Sequence, residues 1–357
     1  MKSNYDILGN HIRLIDTRNR ESITDRVLGI NIDKFFMPSV ANVIGTDLSK
    51  YKLITKRKFA CNPMHVGRDE RLPVALYDEE EPAIVSPAYF MFEVVDNSIL
   101  NEDYLMMWFR RPEFDRICWL HTDGSVRGGI TWDDICRLEL PIPPIENQLE
   151  IVNSYKAITE RIALKQKIND NLDDTAQTLY QKYFESNSDK SSWKQGTVGD
   201  VLQLQRGHDL PRTEMTGGKY PVAGSTGTIG YHDEFTAEAP VIVMGRSGNI
   251  GNPRLYLCNC WTHNTSLYVK QIYEAEPLWV FYLLKNLNYD GFVGGSAVPT
   301  LNRNDVHAYG IAIPPLELQK SFSQKVMSLI YCKEENLSEI EKLQELQKII
   351  LTTMSSR

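Results

Sequence analysis

The chain has 357 residues, of which 42% are hydrophobic and 24% charged, so disordered and collagen-like structure are excluded and about two domains are expected. Its net charge of −7 (39 basic against 46 acidic residues) argues against a uniformly basic nucleic-acid binder and leaves only local basic faces. No apolar run approaches the ~18 residues of a membrane span, and the start Met1-Lys2-Ser3-Asn4 lacks a signal-peptide core, so a cytoplasmic location without a membrane partner is expected. The six cysteines lie mostly among apolar neighbours, as reduced thiols do, and no disulfide is expected.

In chain order, residues 1–143 read as a globular segment of short β-rich runs and one helical stretch near Tyr104 to Trp108. Within it, Lys50, Lys52, Lys56, Arg57 and Lys58 form a run of cations with no acid, followed by His65, Arg68 and Arg71; such a run can neutralise phosphates, or be a solvated strand-turn face. Asn62-Pro63-Met64-His65 is close to the Asn-Pro-Pro-aromatic loop of amino-methyltransferases, but the second proline, the aromatic and a Gly-rich cofactor loop are missing. The acidic stretch Asp78-Glu79-Glu80-Glu81 reads as a solvated loop.

Ile142-Pro143-Pro144-Ile145-Glu146-Asn147-Gln148 then opens a segment, 144–187, with apolar residues at Ile151, Tyr155, Ile158, Ile162, Leu172, Ala176, Leu179 and Tyr183. Steps of four and three make this a heptad seam, and Pro-Pro permits helix only after itself. A linker, Ser186 to Ser192, leads to a second globular segment, 188–315, with strands expected at Pro240 to Met244 and Ser266 to Val269 and a helix at Leu278 to Leu284. Its candidate contacts sit on Gly-rich loops: Arg206, His208, Lys219, Tyr220, Ser225, Thr226, Arg246, Ser247, Asn249 and Arg303. Gly245-Arg246-Ser247-Gly248-Asn249-Ile250-Gly251 is neither a phosphate loop nor a nucleophile elbow. Cys258-Asn259-Cys260-Trp261-Thr262-His263 lacks zinc-knuckle spacing, and no metal site is expected.

Ile313-Pro314-Pro315-Leu316-Glu317-Leu318-Gln319 repeats the first motif at an offset of 171 (313 − 142), and opens a last segment, 316–357, with Phe322, Val326, Leu329, Ile340, Leu343, Ile350 and Met354 in the same phase. The offset also aligns Ile130 with Leu301, Asp134 with Asp305 and Leu140 with Ile311. Each long helix, about 40 residues and ~60 Å, is too long to bury its stripe on a small domain alone, so the two are expected to pair, the alternative being that each packs separately on its own domain. Ile151, Ile158, Leu172, Leu179, Phe322, Leu329, Leu343 and Ile350 are the candidate spacer and partner-docking positions, and Lys165, Asn169, Lys333 and Asn336 are polar interruptions expected to fix register. Heptads leave the direction of pairing open.

The duplicated globular-helix order, the paired Pro-Pro-x-Glu-x-Gln helix entries, the Tyr51 to Arg68 stretch with Asn62-Pro63-Met64-His65, and Tyr220 to Ser225 with Gly245 to Gly251 together resemble the DNA-specificity subunit of type I restriction-modification systems, over essentially the whole chain. The resemblance implies an α+β fold, with two mixed α/β target-recognition domains joined by two long helices in an antiparallel coiled coil and a pseudo-twofold internal repeat. It implies a non-catalytic reader of double-stranded DNA, each domain taking one half of a bipartite site and the helices setting the gap, for which one DNA turn is ~34 Å. It also implies two methyltransferase subunits and motor-nuclease subunits as partners, with S-adenosylmethionine, ATP and Mg²⁺ bound there and no cofactor here. Two other readings compete: a fused methyltransferase or nuclease, for which no cofactor loop or carboxylate cluster is found, and a coiled-coil adaptor for proteins, which predicts no sequence-selective DNA affinity. Within the reader class, the subunit could also serve a related system that cuts on both sides of its site.

Overall fold

The computed structural model describes residues 4–64, 66–122, 128–289, 293–294 and 300–354. Contacts divide the chain midway along both long helices: one unit is Met1–Leu164 with Glu339–Arg357, the other Lys165–Ser338.

The first unit is built on a four-stranded antiparallel sheet in the order Ile12–Leu14, Phe90–Val94, Lys58–Cys61, Val74–Tyr77. A second sheet orders Phe36–Pro38, Val27–Ile30, Ala83–Val85 and Lys52–Ile54, with one parallel pair. Helix Glu102–Phe109 covers the first sheet. Asn101 caps it by accepting from the Asp103 and Tyr104 amides, and Tyr104 to Phe109 are all buried. Phe59, Phe92, Phe109 and Phe114 form the aromatic centre, with Phe59 stacked on Phe92 at 5.0 Å.

The second unit repeats the main sheet strand for strand: Leu202–Arg206, Ser266–Ile272, Val241–Gly245, Gly251–Tyr256, again antiparallel. The expected strands and helix lie where the sequence put them, the helix being Pro277–Lys285. Here the accompanying sheet has three strands, Gly227–His232, Tyr220–Gly224 and Trp261–Thr262. The ends of the two globular parts therefore match while their middles diverge.

The repeated motif has a common physical job. Proline at both positions leaves no N–H to bond, and the glutamine six residues into each motif makes up the junction. Gln148 is fully buried; its amide donates to the Ile99 and Pro143 carbonyls, both at 2.8 Å, and accepts from the Asn101 amide at 2.9 Å. Gln319 donates to the Pro314 carbonyl at 2.8 Å and accepts from the Glu276 amide at 2.9 Å. Asn101 and Glu276 are the N-caps of the two domain helices, so each glutamine ties a long helix to its own globular part.

The long helices are Ile145–Tyr180, closed by a π-helical turn Gln181–Glu185, and Leu316–Thr353. They pair antiparallel. In the first unit Gln347 donates to Thr159 at 2.7 Å, Arg161 pairs with Glu339, and Ile151, Val152, Ile350 and Met354 share one apolar cluster. In the second, Lys165 donates to Asn336 at 2.8 Å, Asn336 donates to Asn169 at 2.9 Å, Lys333 meets Asp173 at 2.5 Å, and Tyr180 packs edge-on against Phe322. Lys165 and Asn336 are repeat mates, separated by 171, so they contact each other where the two helix copies cross in register. Among the described residues, no helix is long and apolar enough to cross a membrane.

Candidate nucleic-acid interface

At one end of the second unit's sheets, four loops are tied into a single surface. The turn after Leu202–Arg206 joins through the His208 amide to the Thr262 carbonyl at 2.7 Å. The loop before Ser266–Ile272 joins the hairpin at Ser225, whose amide donates to Thr265 Oγ at 3.3 Å, and Asn264 donates to Asp209. The hairpin Gly245 to Gly251 is fixed at three points: the Arg246 amide donates to the Thr265 carbonyl at 3.1 Å, the Arg246 carbonyl accepts from the Leu301 amide at 2.8 Å, and Asn249 donates to the Ser225 carbonyl at 3.2 Å. Gly245 is required there, since a Cβ would collide with the Asn249 carbonyl oxygen; Gly248 supplies a φ of +78°.

Strand order identifies the counterpart of this hairpin in the first unit as the loop 62–73, between Lys58–Cys61 and Val74–Tyr77. The Pro63 carbonyl accepts from the Ile130 amide, as the Arg246 carbonyl does from Leu301, and Ile130 and Leu301 are repeat mates. Asn62-Pro63-Met64 is thus the counterpart turn of the repeat, which the fixed offset could not align because the intervening lengths differ.

The first unit's cations do not form the continuous basic face the sequence suggested. Lys52 is buried, donating to the Tyr89 carbonyl at 2.6 Å, and burial lowers its pKa despite Asp16. Arg57, at φ 64°, binds Glu102 and Asp103, each at 3.0 Å; burial opposes its charge, but these carboxylates outweigh that and raise its pKa. Asp103 also takes Lys156 of the long helix at 2.9 Å; burial works against its ionisation, yet hydrogen bonds from Arg57 and Lys156 hold its pKa below the ordinary value. Lys56 pairs with Glu80, Lys58 with Glu93 and, more loosely, Lys50 with Asp47 at 3.5 Å. The acid-free run meets most of its acids on the neighbouring strands and on the helix Glu102–Phe109, which alternation along one strand cannot reveal. Arg68 bonds the neighbouring Asp69 and Arg71 bonds Asp33 at 3.0 Å, both on the 62–73 loop. His65 lies outside the described residues.

In the second unit the candidates are less committed. Arg206 is exposed with Asp209 at 3.8 Å; Lys219 lies over the Tyr220 ring at 4.7 Å, and Tyr220 packs on Phe235. His208 sits 6.2 Å from the rings of both Trp261 and Tyr268. Thr226 is exposed, and Arg303 is exposed at the start of helix Arg303–His307. That helix is held by His307 Nε2, which accepts from the Leu204 amide at 2.8 Å; burial, then Arg303, lowers its pKa and keeps the acceptor neutral. Burial pushes the Cys260 thiol up to about 12, which disfavours the thiolate a metal needs. No group of metal-ligating side chains occurs among the described residues, and of the six cysteines Cys258 and Cys332 are exposed.

The spacer candidates point inward. Phe322 is fully buried, and Ile151, Ile158, Leu172, Leu179, Leu329, Leu343 and Ile350 are half-buried, with Ile151 and Ile350 on the first unit's core and Leu179 and Leu329 on the second's. The exposed large apolar side chains of the helices are instead Leu149, Leu164, Leu346 and Ile349 in the first unit and Ile168, Leu316, Tyr331 and Leu337 in the second. A heptad pattern finds the inner face and is silent on the outer one.

Residues 190–349 match the family described as the type I restriction modification DNA specificity domain. A type I restriction enzyme specificity subunit, MjaX, of Methanocaldococcus jannaschii is 21% identical over 396 aligned positions, covering 98% of this chain and 88% of the relative. Among solved structures, the S subunit of a type I restriction-modification system from M. genitalium superposes with a TM-score of 0.63 at 16% identity, over 99% of this chain and 96% of that one. A chain from a structure on complex assembly and conformational transition of the type I R-M system gives 0.51 at 16% identity, over 98% and 96%. The resemblance read from the sequence is thus borne out: residues 190–349 match the type I DNA specificity domain, and the chain as a whole has the fold of type I restriction-modification specificity subunits.

Proposed function

We propose that this chain is the non-catalytic DNA reader of a type I restriction-modification complex, each unit reading one half of a bipartite duplex site. The observation that carries this is the pair of matched turns, Pro63 and Arg246, which share a backbone mount and differ in side chain. Two copies of one scaffold with different loop chemistry suit two different half-sites. The helix pair, continuous through Ile145–Tyr180 and Leu316–Thr353 and ~54 Å long for 36 residues, would set the gap between half-sites. Methyltransferase subunits would dock on the outward Leu164, Ile168, Tyr331, Leu337, Leu346 and Ile349 rather than on the seam. S-adenosylmethionine, ATP and Mg²⁺ would be carried by those and by motor-nuclease subunits, all in the cytoplasm. With the first unit's cations internally paired, much of the phosphate attraction would come from partners.

The test is adenine-methylation mapping by long-read sequencing of cells carrying this chain with and without its methyltransferase. A split motif present only with both supports the reader. Methylation by this chain alone supports the fused-enzyme reading, and no motif with either refutes sequence reading.

A further inference from the structure

Resting on that reading, we infer that Arg246 is the specificity-determining residue of the second unit and reads a guanine of its half-site, with Asn249 as a positioning residue. Three observations point here. First, the backbone on both sides of Arg246 is fixed, by Thr265 and by Leu301, so its side chain leaves from a rigid mount. Base readout depends on such a mount, because a bidentate pair tolerates little angular error, whereas phosphate contacts do not need it.

Second, several of the polar side chains around Arg246 already have work, while Arg206 and Thr226 lie exposed nearby. Asn249 is spent on the Ser225 carbonyl, Thr265 on the Ser225 amide and His263, Asn264 on Asp209, and Lys219 on Tyr220. Arg246, half-buried, has no carboxylate partner among the described residues and keeps its planar fork of donors. In the major groove the O6 and N7 of guanine match that fork. Third, the same turn in the first unit bears Pro63, whose side chain has no donor, so this turn offers the guanine-reading fork in the second unit and not in the first.

The experiment uses the complex of this chain with its methyltransferase subunits, mapping methylation for the wild type, Arg246→Gln, Arg246→Lys and Asn249→Ala. In the Gln and Lys variants one guanine position of one half-site is expected to lose discrimination by roughly 5- to 150-fold, the worth of a good bidentate pair, with the other half-site and the gap unchanged. Asn249→Ala is expected to weaken the same position to a smaller degree. A motif that is unchanged, or methylation lowered equally at every site together with a shallower salt dependence, identifies a phosphate contact and overturns the inference. So does a wild-type half-site pair without guanine. If Arg246→Gln fails to assemble, Arg246→Lys, which keeps the charge and loses the fork, decides by the same criterion. A wild-type complex that shows no split motif overturns the reader itself rather than this residue.

Discussion

Gln148 offers the sharpest test of how the repeat is held together. Its amide satisfies three backbone groups, the Ile99 and Pro143 carbonyls and the Asn101 amide, and has no exposure to water. Replacing it by leucine keeps the volume and removes every partner. An orphaned buried polar group costs ~1–3 kcal/mol, and water can reach part of a junction near a helix entry, so a local cost of about 2–4 kcal/mol is expected rather than the full sum. Gln148→Glu keeps the bond from Asn101 but sets a carboxylate against two carbonyl oxygens, and is expected to cost at least as much. Because two units make a single unfolding midpoint ill-defined, the assay is hydrogen exchange at individual amides. At 1.36 kcal/mol per decade, about 2 kcal/mol accelerates exchange of the Asn101 amide roughly 30-fold. The Glu276 amide should stay as in the wild type, and the pattern should invert in Gln319→Leu. Acceleration under about threefold, or a Gln148→Glu variant more protected than the wild type, would refute the idea that this glutamine is the joint.

Other consequences follow from the same geometry. Arg57→Ala should destabilise the first unit by about 1.5–3 kcal/mol through lost charged hydrogen bonds and leave the salt dependence of DNA binding unchanged, as measured by exchange and by titration at several ionic strengths. Since the folded Asp103 has a lowered pKa, its contribution is complete above the unfolded carboxyl value of about 4 and is lost as pH falls through the folded one; Asp103→Asn should remove that part of the acid sensitivity. His307, also lowered, binds its proton more readily when unfolded, so the second unit should weaken as pH falls below the ordinary 6.5, and His307→Gln should flatten that slope. In the spacer, Asn336→Leu alone should destabilise by about 1–3 kcal/mol because Asn169 loses its donor, while Asn169→Leu with Asn336→Leu should recover that part; hydrogen exchange at the spacer amides of both variants decides.

Much of this protein is written along the chain. Heptads at Ile151 to Leu179 and Phe322 to Ile350, the Pro-Pro entries and the offset of 171 fix two long helices, their phase and a duplicated fold, because helix periodicity and proline stereochemistry are local properties. The sense of helix pairing needed the tertiary structure, since identical seams fit either direction and only pairs such as Lys165 with Asn336 choose one. The equivalence of Pro63 and Arg246 was hidden as well, because loops of unequal length break the offset while the sheet keeps it. Nor could the sequence tell which cations are free. Lys56, Arg57 and Lys58 look like a phosphate track in one dimension, and the sheet brings Glu80 and Glu93, and the helix packed on it Glu102 and Asp103, against them. Local order is set by neighbours in the chain, whereas charge neutralisation and loop surfaces are set by residues tens of positions away, and the fold alone decides which of those meet.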